Sequence, residues 1–328
     1  MSNLNSQNFT RDVAVAPVRL HSFITQVAEL APIALFVYNR PEHARQTIEA
    51  LRANQLAQQS DLFVFADGAK NEPADAEVRE VRNLIRAIDG FKSVTVIERE
   101  HNLGLSKSVI SGVTQLCAEY GRAIVVEDDV LTARDFLTFV NQGLDCYRDE
   151  PRVFSIGAFG LPIVMPKTYS YDAFCSYRFM CWGWGTWKDR WESADWSVKD
   201  YPEFKADRGK QKRFNRGGDD LAWSLGLQME GKIDSWDTIW AYTHSKHDAV
   251  AVLSVISRAY NIGFDGTGIH CRRAPFKQSA LSFEGGNNYR FPESVIPEPD
   301  VAKKIQRLHH RSSASKLARL ILEKVGLR

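Results

Sequence analysis

Ala123 to Val126 is a short apolar run that breaks at once into three acids, Glu127, Asp128 and Asp129. A run without charge or turn former reads as a buried strand. The acids then belong at its C-terminal end, where open α/β sheets bind their ligands. Carboxylates in that position suit a hard cation, and such a cation suits a diphosphate. The plain alternative is an acidic loop that caps the next helix.

The preceding chain repeats this grammar. Ile33 to Tyr38, Leu62 to Ala66 and Val94 to Glu98 read as strands. Helices are expected from about Glu42 to Asn54, Val78 to Ile88 and Ser106 to Tyr120. Strands and helices alternating at this spacing predict crossover units, an α/β fold and a mostly parallel central sheet flanked by helices. With 328 residues, 44% of them apolar, the chain can build one large domain or two fused lobes. A formal net charge of +2 gives no reason to expect a nucleic-acid partner. The five cysteines form no CxxC pair, and their odd number is a poor disulfide framework. A reducing, cytoplasmic setting is the expectation. The opening MSNLNSQNFTRD is polar and lacks an apolar signal core. No stretch reaches the about 18 uninterrupted apolar residues of a membrane span.

Past Phe136 the pattern changes. A helix is expected over Phe139 to Tyr147 and a strand over Val153 to Gly157, and residues 174–196 are crowded with aromatics. Residues 205–218 are basic and carry glycine, which reads as a mobile loop that either closes over a bound diphosphate or is an ordinary solvated loop. Asp220 to Glu230 returns to helix, and 276–300 reads as irregular surface chain. In the tail, 301–328, Val301, Ile305 and Leu308 recur at helical spacing among many lysines and arginines, as do Leu317, Leu320 and Ile321. Such a basic amphipathic helix either lies on an anionic membrane as a peripheral contact or packs on the domain with its charges solvated.

Three strand ends carry polar residues suited to a nucleotide: Asn39-Arg40, Asp67-Gly68 and Glu127-Asp128-Asp129. No GxGxxG follows the first strand and no GxxxxGK[ST] is present, which argues against a dinucleotide fingerprint and a P-loop. A GT-A type sugar-nucleotide site fits better, with an acid-held metal bridging the diphosphate. His101 to Gly112, HNLGLSKSVISG, resembles the NxGLxxSxxxG stretch of glycosyltransferase family 2-like enzymes, which build bacterial polysaccharides and lipopolysaccharides. It makes Asn102, Ser106 and Lys107 donor-binding candidates. More distantly, residues 31–272 resemble the eukaryotic α-mannoside β-1,2-N-acetylglucosaminyltransferases. There an acidic triplet follows a valine-rich strand, as in Val125 to Asp129. The resemblance implies Asp129 as metal ligand, with Mn²⁺ or Mg²⁺ as cofactor. It implies Glu127 on the donor sugar, and Arg40 and Asp67 on the nucleotide. Asp128 is expected to reach ribose or a metal-bound water. Taken alone, Arg40 reads as a surface salt bridge and Asp67 as a turn acid.

Inverting transfer needs a base for the acceptor hydroxyl, usually a carboxylate. Asp219, Asp220, Asp234 and Asp237 are candidates. Ser235-Trp236-Asp237-Thr238-Ile239-Trp240 resembles the Trp-Asp-Asp-Trp segment that carries the base in the N-acetylglucosaminyltransferases, with one Asp fewer and one residue more between the tryptophans. Asp237 therefore ranks first and Asp220 second; a helix cap is the plain alternative for both. Ser257 to Gly263 and GTGIH, Gly266 to His270, also resemble segments of those enzymes, which puts His270 near the metal or diphosphate. A packed histidine is an equal reading. Trp182, Trp184 and Trp187 are candidates to stack on an acceptor sugar, with one of the three expected to touch it and a core role as the alternative.

These readings divide the chain into a leader (1–30), a nucleotide-sugar half (31–130), an acceptor-binding and catalytic half (131–275), and an irregular segment with a basic helix (276–328). They imply a metal-dependent inverting transferase taking a UDP-sugar to a glycan acceptor, and the resemblance to the N-acetylglucosaminyltransferases alone makes N-acetylglucosamine the best single choice. That acceptor is lipid-linked if the tail is interfacial. A nucleotidyltransferase would carry a glycine-rich, lysine-containing loop where this chain has Asn39-Arg40-Pro41-Glu42. A non-catalytic polysaccharide-binding protein would not need the acidic triplet.

Overall fold

Strand β1 (Ile33–Val37) stops at Asn39-Arg40, and Pro41 opens helix α1 (Pro41–Arg52). Proline suits a first helical turn because its missing N–H has no helical partner there. The computed structural model describes residues 29–266, 276–282 and 285–310. Three sequence expectations thus lie outside the described residues: nearly all of the leader, His270, and the tail beyond residue 310.

The alternation continues with β2 (Asp61–Ala66), α2 (Asp75–Arg86), β3 (Ser93–Glu98), α3 (Leu105–Tyr120) and β4 (Arg122–Glu127). Gly121, at φ +75°, ends α3 with its N–H on the Cys117 carbonyl and turns the chain into β4. These four strands pair in parallel in the order β3-β2-β1-β4.

Beyond Asp129 come β5 (Val130–Thr132), α4 (Phe136–Cys146), β6 (Val153–Gly157), β7 (Ala173–Ser176) and β8 (Trp184–Trp187). Helices α5 (Lys188–Glu192), α6 (Tyr201–Ala206), α7 (Arg208–Phe214), α8 (Leu221–Met229) and α9 (Trp236–Lys246) follow. Strands β9 (Val250–Ser254) and β10 (Ala259–Asn261) and helix α10 (Pro299–Leu308) complete the order. The main sheet runs β3-β2-β1-β4-β8-β6-β9-β7. β8 lies antiparallel to both β4 and β6, β9 is parallel to β6, and β7 is antiparallel to β9. The sheet is therefore mixed rather than mostly parallel. The extra strands are short, and β8 is written in tryptophan, glycine and threonine, which hid it among the aromatics.

Both faces of this sheet are covered, so its strands are apolar on both sides. Ile33, Leu35 and Val37 point into one core with α1, α2, α4 and α10; Ala34 and Phe36 point into the other with α3, α8 and α9. Gly112 lets α3 lie close on the sheet, since a Cβ there would come within 2.7 Å of the Phe36 ring. Residues 205–218 are a correction: they form α6, α7 and a 3-10 turn at Asn215–Gly217, with Phe204 and Phe214 buried. Described parts of 276–298 are irregular, as expected. Helix α10 packs on the domain through Val301 and Ile305. No described helix is long and apolar enough to cross a membrane.

Candidate functional site

One edge of the sheet gathers the C-terminal ends of β1, β2, β4, β6 and β9 and the N-terminal end of the antiparallel β8. Arg40, just past β1, reaches across to the end of β4. Its Nη2 donates to Asp128 Oδ1 and, at 2.7 Å, to Asp129 Oδ2. Burial works against the Arg40 charge, but Asp128 and Asp129 more than offset it and raise its pKa. Its Nη1 is buried with no hydrogen-bond acceptor among the described residues. A stranded buried donor costs about 1–3 kcal/mol, which an incoming ligand oxygen can recover.

The triplet is held from several sides. Thr47 Oγ1 donates to the Asp128 carbonyl at 2.8 Å. Asn261, at the end of β10, donates through Nδ2 to Asp129 Oδ1 at 3.3 Å. Its own Oδ1 accepts from Gly263 N at 2.8 Å. The Gly263 backbone lies so close that a Cβ would stand 2.1 Å from Asp129 Oδ2 and 3.0 Å from Arg40 Nη1.

Asp237 joins this group from α9. It sits in the first turn, where Ser235 Oγ donates to its Oδ1. Burial, then the charges of Asp129, Asp237 and Asp128, push the Glu127 carboxyl well above its ordinary range, and Arg40 offsets only part of this. Burial pushes Asp128 up to about 6, against the pull of Arg40. Cys181, just before β8, is also pushed well above its ordinary value, first by burial and then by Asp237, Glu127 and Asp129. Arg40 thus bonds Asp128 and Asp129 and, among the described residues, only partly offsets the charge around Glu127, to which Asp237 adds. Among the described residues no three His, Cys, Asp or Glu side chains are arranged to hold a metal ion by themselves. The cluster instead offers hard carboxylate oxygens, a donor set that fits Mn²⁺ or Mg²⁺ when ligand oxygens complete the shell.

Asp67 is buried and committed to backbone. It accepts from Leu103 N at 2.9 Å, Gly104 N at 3.0 Å and Gly68 N at 3.1 Å. Asn102 Nδ2 returns a bond to the Gly68 carbonyl at 2.8 Å. Gly68 is required by this contact, since a Cβ there would come 2.6 Å from the His101 carbonyl carbon. Asp67 and Asn102 thus interlock two loops. The Ser106 Oγ is buried without a partner, and Lys107 is exposed beside it. Asp234 Oδ2 faces Ser106 N at 3.5 Å.

Other candidates are placed elsewhere. Asp220 forms a two-pronged ion pair with Arg178, both bonds 2.9 Å, and Asp219 pairs with His310 at 2.9 Å. Trp184 and Trp187 are corrections, since they are 0% and 4% exposed and have no face to offer a sugar. Trp184 stacks on Trp236 at 5.4 Å within a cluster that includes Trp191 and Trp240, and this cluster seats α9 and hence Asp237. Trp187 Nε1 donates to the Leu144 carbonyl at 3.1 Å. Only Trp182 of the three stays half-buried. Arg258, in the Ser257–Gly263 stretch, is structural: it pairs with buried Asp135 at 2.9 Å and lies over Phe139 and Tyr289. Asn261, Gly263 and Cys181 had no assigned role in the sequence reading. The nearest signal was the glycine ending that stretch.

No protein-family model matches the chain. Among solved structures it is similar to S. aureus TarS 1–349, with a TM-score of 0.41 and 11% identity over 73% of this chain and 62% of that one. Against a second TarS structure the values are 0.35 and 13%, over 51% of this chain and 30% of that one. It is also similar to the mannosyltransferase PcManGT from Pyrobaculum calidifontis, solved in complex with GDP-Man and Mn²⁺. There the TM-score is 0.37 and the identity 11%, over 66% of this chain and 68% of that one. The chain therefore spans less than two thirds of either TarS structure.

Proposed function

We propose that this chain is a metal-dependent inverting glycosyltransferase of GT-A type. It moves a sugar, N-acetylglucosamine as the best choice, from a UDP-sugar to a glycan hydroxyl in bacterial surface polysaccharide synthesis. One observation carries the reading: Asp129, Asp237 and Asp128 all act on buried Glu127, and among the described residues Arg40, bonded to Asp128 and Asp129, offsets only part of that charge. That surplus of negative charge at a sheet edge calls for a cation, and a cation there calls for phosphate.

In this reading the nucleotide lies over 31–130 and the acceptor over 131–275. Asp129 would hold Mn²⁺ or Mg²⁺, which when bound neutralises charge on the departing diphosphate. Arg40 Nη1 supplies a ready donor for a phosphate oxygen. Glu127 contacts the donor sugar. Asp237 takes the acceptor proton as that oxygen bonds to C1, while the bond from C1 to the phosphate oxygen breaks and UDP leaves with the electron pair. Attack opposite the leaving group inverts the anomeric centre in one displacement. The setting is cytoplasmic, with the basic tail, if interfacial, on the inner membrane face beside a lipid-linked acceptor.

Calorimetric titration with UDP, with and without Mn²⁺, tests the reading. Metal-dependent binding that disappears in Asp129→Asn supports it. Absence of binding in both conditions, for UDP and then for other nucleoside diphosphates, leaves the non-catalytic glycan-binding alternative.

A further inference from the structure

Three half-buried rings, Trp182, Phe264 and Phe276, stand together at this edge. Trp182 meets Phe264 edge-on at 5.4 Å, and Phe276 lies 6.3 Å from Trp182. Fully buried Phe159 backs the group, edge-on to Trp182 at 4.6 Å and 6.2 Å from Phe276. His309 closes the far side, 5.3 Å from Phe276.

Their chain neighbours fix where this wall stands. Trp182 follows Cys181, whose thiol is acted on by Asp237, Glu127 and Asp129. Phe264 follows Gly263, whose backbone touches Asp129 and Arg40. The chain limbs bearing Phe264 and Phe276 are joined at their base. Gln278 Oε1 accepts from Asn261 N at 2.9 Å, and its Nε2 donates to the Asn261 carbonyl at 2.7 Å. A bond of 3.2 Å from His43 to Asp265 ties the first limb to α1.

Strand order decides what the wall meets. Asp67 and Asn102 lie on the β2 side of the acids, and Trp182 and Phe159 lie on the β8 and β6 side. A nucleotide with phosphates at Arg40 and its base toward Asp67 leaves the wall free. Half-buried aromatic rings beside carboxylates match a pyranose, whose C–H face packs on ring surface while its hydroxyls meet the acids. We infer that Trp182, Phe264 and Phe276 form a saccharide subsite that stacks the acceptor pyranose next to Asp237. Calling that sugar the acceptor rests on the transferase reading; the stacking surface does not.

The test is saturation-transfer NMR on the full chain with UDP and Mn²⁺ present. The probes are the methyl glycosides of glucose, galactose, mannose and N-acetylglucosamine. At least one should receive saturation on the C–H protons of one ring face. Its affinity should fall about tenfold in Trp182→Leu and in Phe264→Leu. UDP titration of the same variants should stay within about twofold of wild type, which also reports that they are folded. No transfer to any glycoside, or an unchanged signal in both variants, overturns the subsite. So does loss of UDP affinity with glycoside binding kept, because the rings would then serve the donor. Glycoside binding without UDP binding would sink the transferase reading and leave the wall standing. Metal-dependent UDP binding without glycoside contact would do the reverse.

Discussion

Glu127-Asp128-Asp129 and Asp219-Asp220 look alike in the sequence, yet their surroundings are opposite. Asp220 is gripped by Arg178 through two bonds of 2.9 Å, and Asp219 has His310. His309 packs beside them as a neutral ring: burial first, then Arg178, lowers its pKa to about 3. Among the described residues the triplet is bonded by the guanidinium of Arg40, and Asp237 adds a further negative charge. An acid whose charge is already matched, as that of Asp220 is by Arg178, holds a fold together. One whose charge exceeds its partners is poised to receive a ligand.

The strongest way to break this contrast is to neutralise one acid in each cluster. Asp129→Asn should lower metal-dependent UDP affinity at least about 100-fold by calorimetry, with the fold kept because Arg40 retains Asp128. Asp237→Asn should slow sugar transfer about 100-fold or more, measured at saturating donor, with UDP affinity largely unchanged. Full activity in Asp237→Asn together with loss in Asp220→Asn would reverse the two assignments. Asp220→Asn is expected instead to cost about 1–3 kcal/mol in urea unfolding, since it strands Arg178, while UDP binding stays as in wild type.

The smallest effect concerns pH. Glu127 and Asp128 bind protons more tightly folded than unfolded, because their folded pKa values are raised, Asp128 to about 6. Their contribution to stability is therefore best at low pH and declines as pH rises from the ordinary carboxylate range through those raised values. Glu127→Gln removes the cost. Without ligand it should melt above wild type at pH 8, with the gap fading toward pH 4. His244 works in the other direction. Burial lowers its pKa to about 4, so stability falls as pH drops below the usual histidine range. That loss is common to both proteins and cancels in the comparison. A gap that widened on acidification would mean that the triplet is not short of positive charge.

Much of the first half was legible because each polar site ends a regular strand. β1 to β4 lie where apolar runs predicted them, and Arg40 meets the triplet because β1 and β4 are neighbours. Asp67 was visible as a strand-end acid, but its bonds to Leu103 and Gly104 depend on a fold-back that no local pattern encodes. The second half was harder for a different reason. Tryptophan serves equally as core and as sugar platform, and only burial separates Trp184 from Trp182. Asn261 and Cys181 carry no spacing rule; they enter the site because β10 pairs with β5 and β8 inserts beside β4.

That insertion of β8 also bears on how the molecule assembles during synthesis. The strands from β1 to β4 come from one continuous stretch and can pair as soon as it leaves the ribosome. Until Trp184–Trp187 is made, however, the free edge of β4 is bare and its three acids border an open flank. Asn261 and Gly263 come later still in the chain, beyond β9, which pairs with β6. Non-local strand pairing of this kind forms slowly and leaves an exposed edge open to wrong partners. The acidic end of the sheet is therefore among the last parts of the molecule to close, and a nascent chain halted before β9 would carry the acids without the residues that orient them.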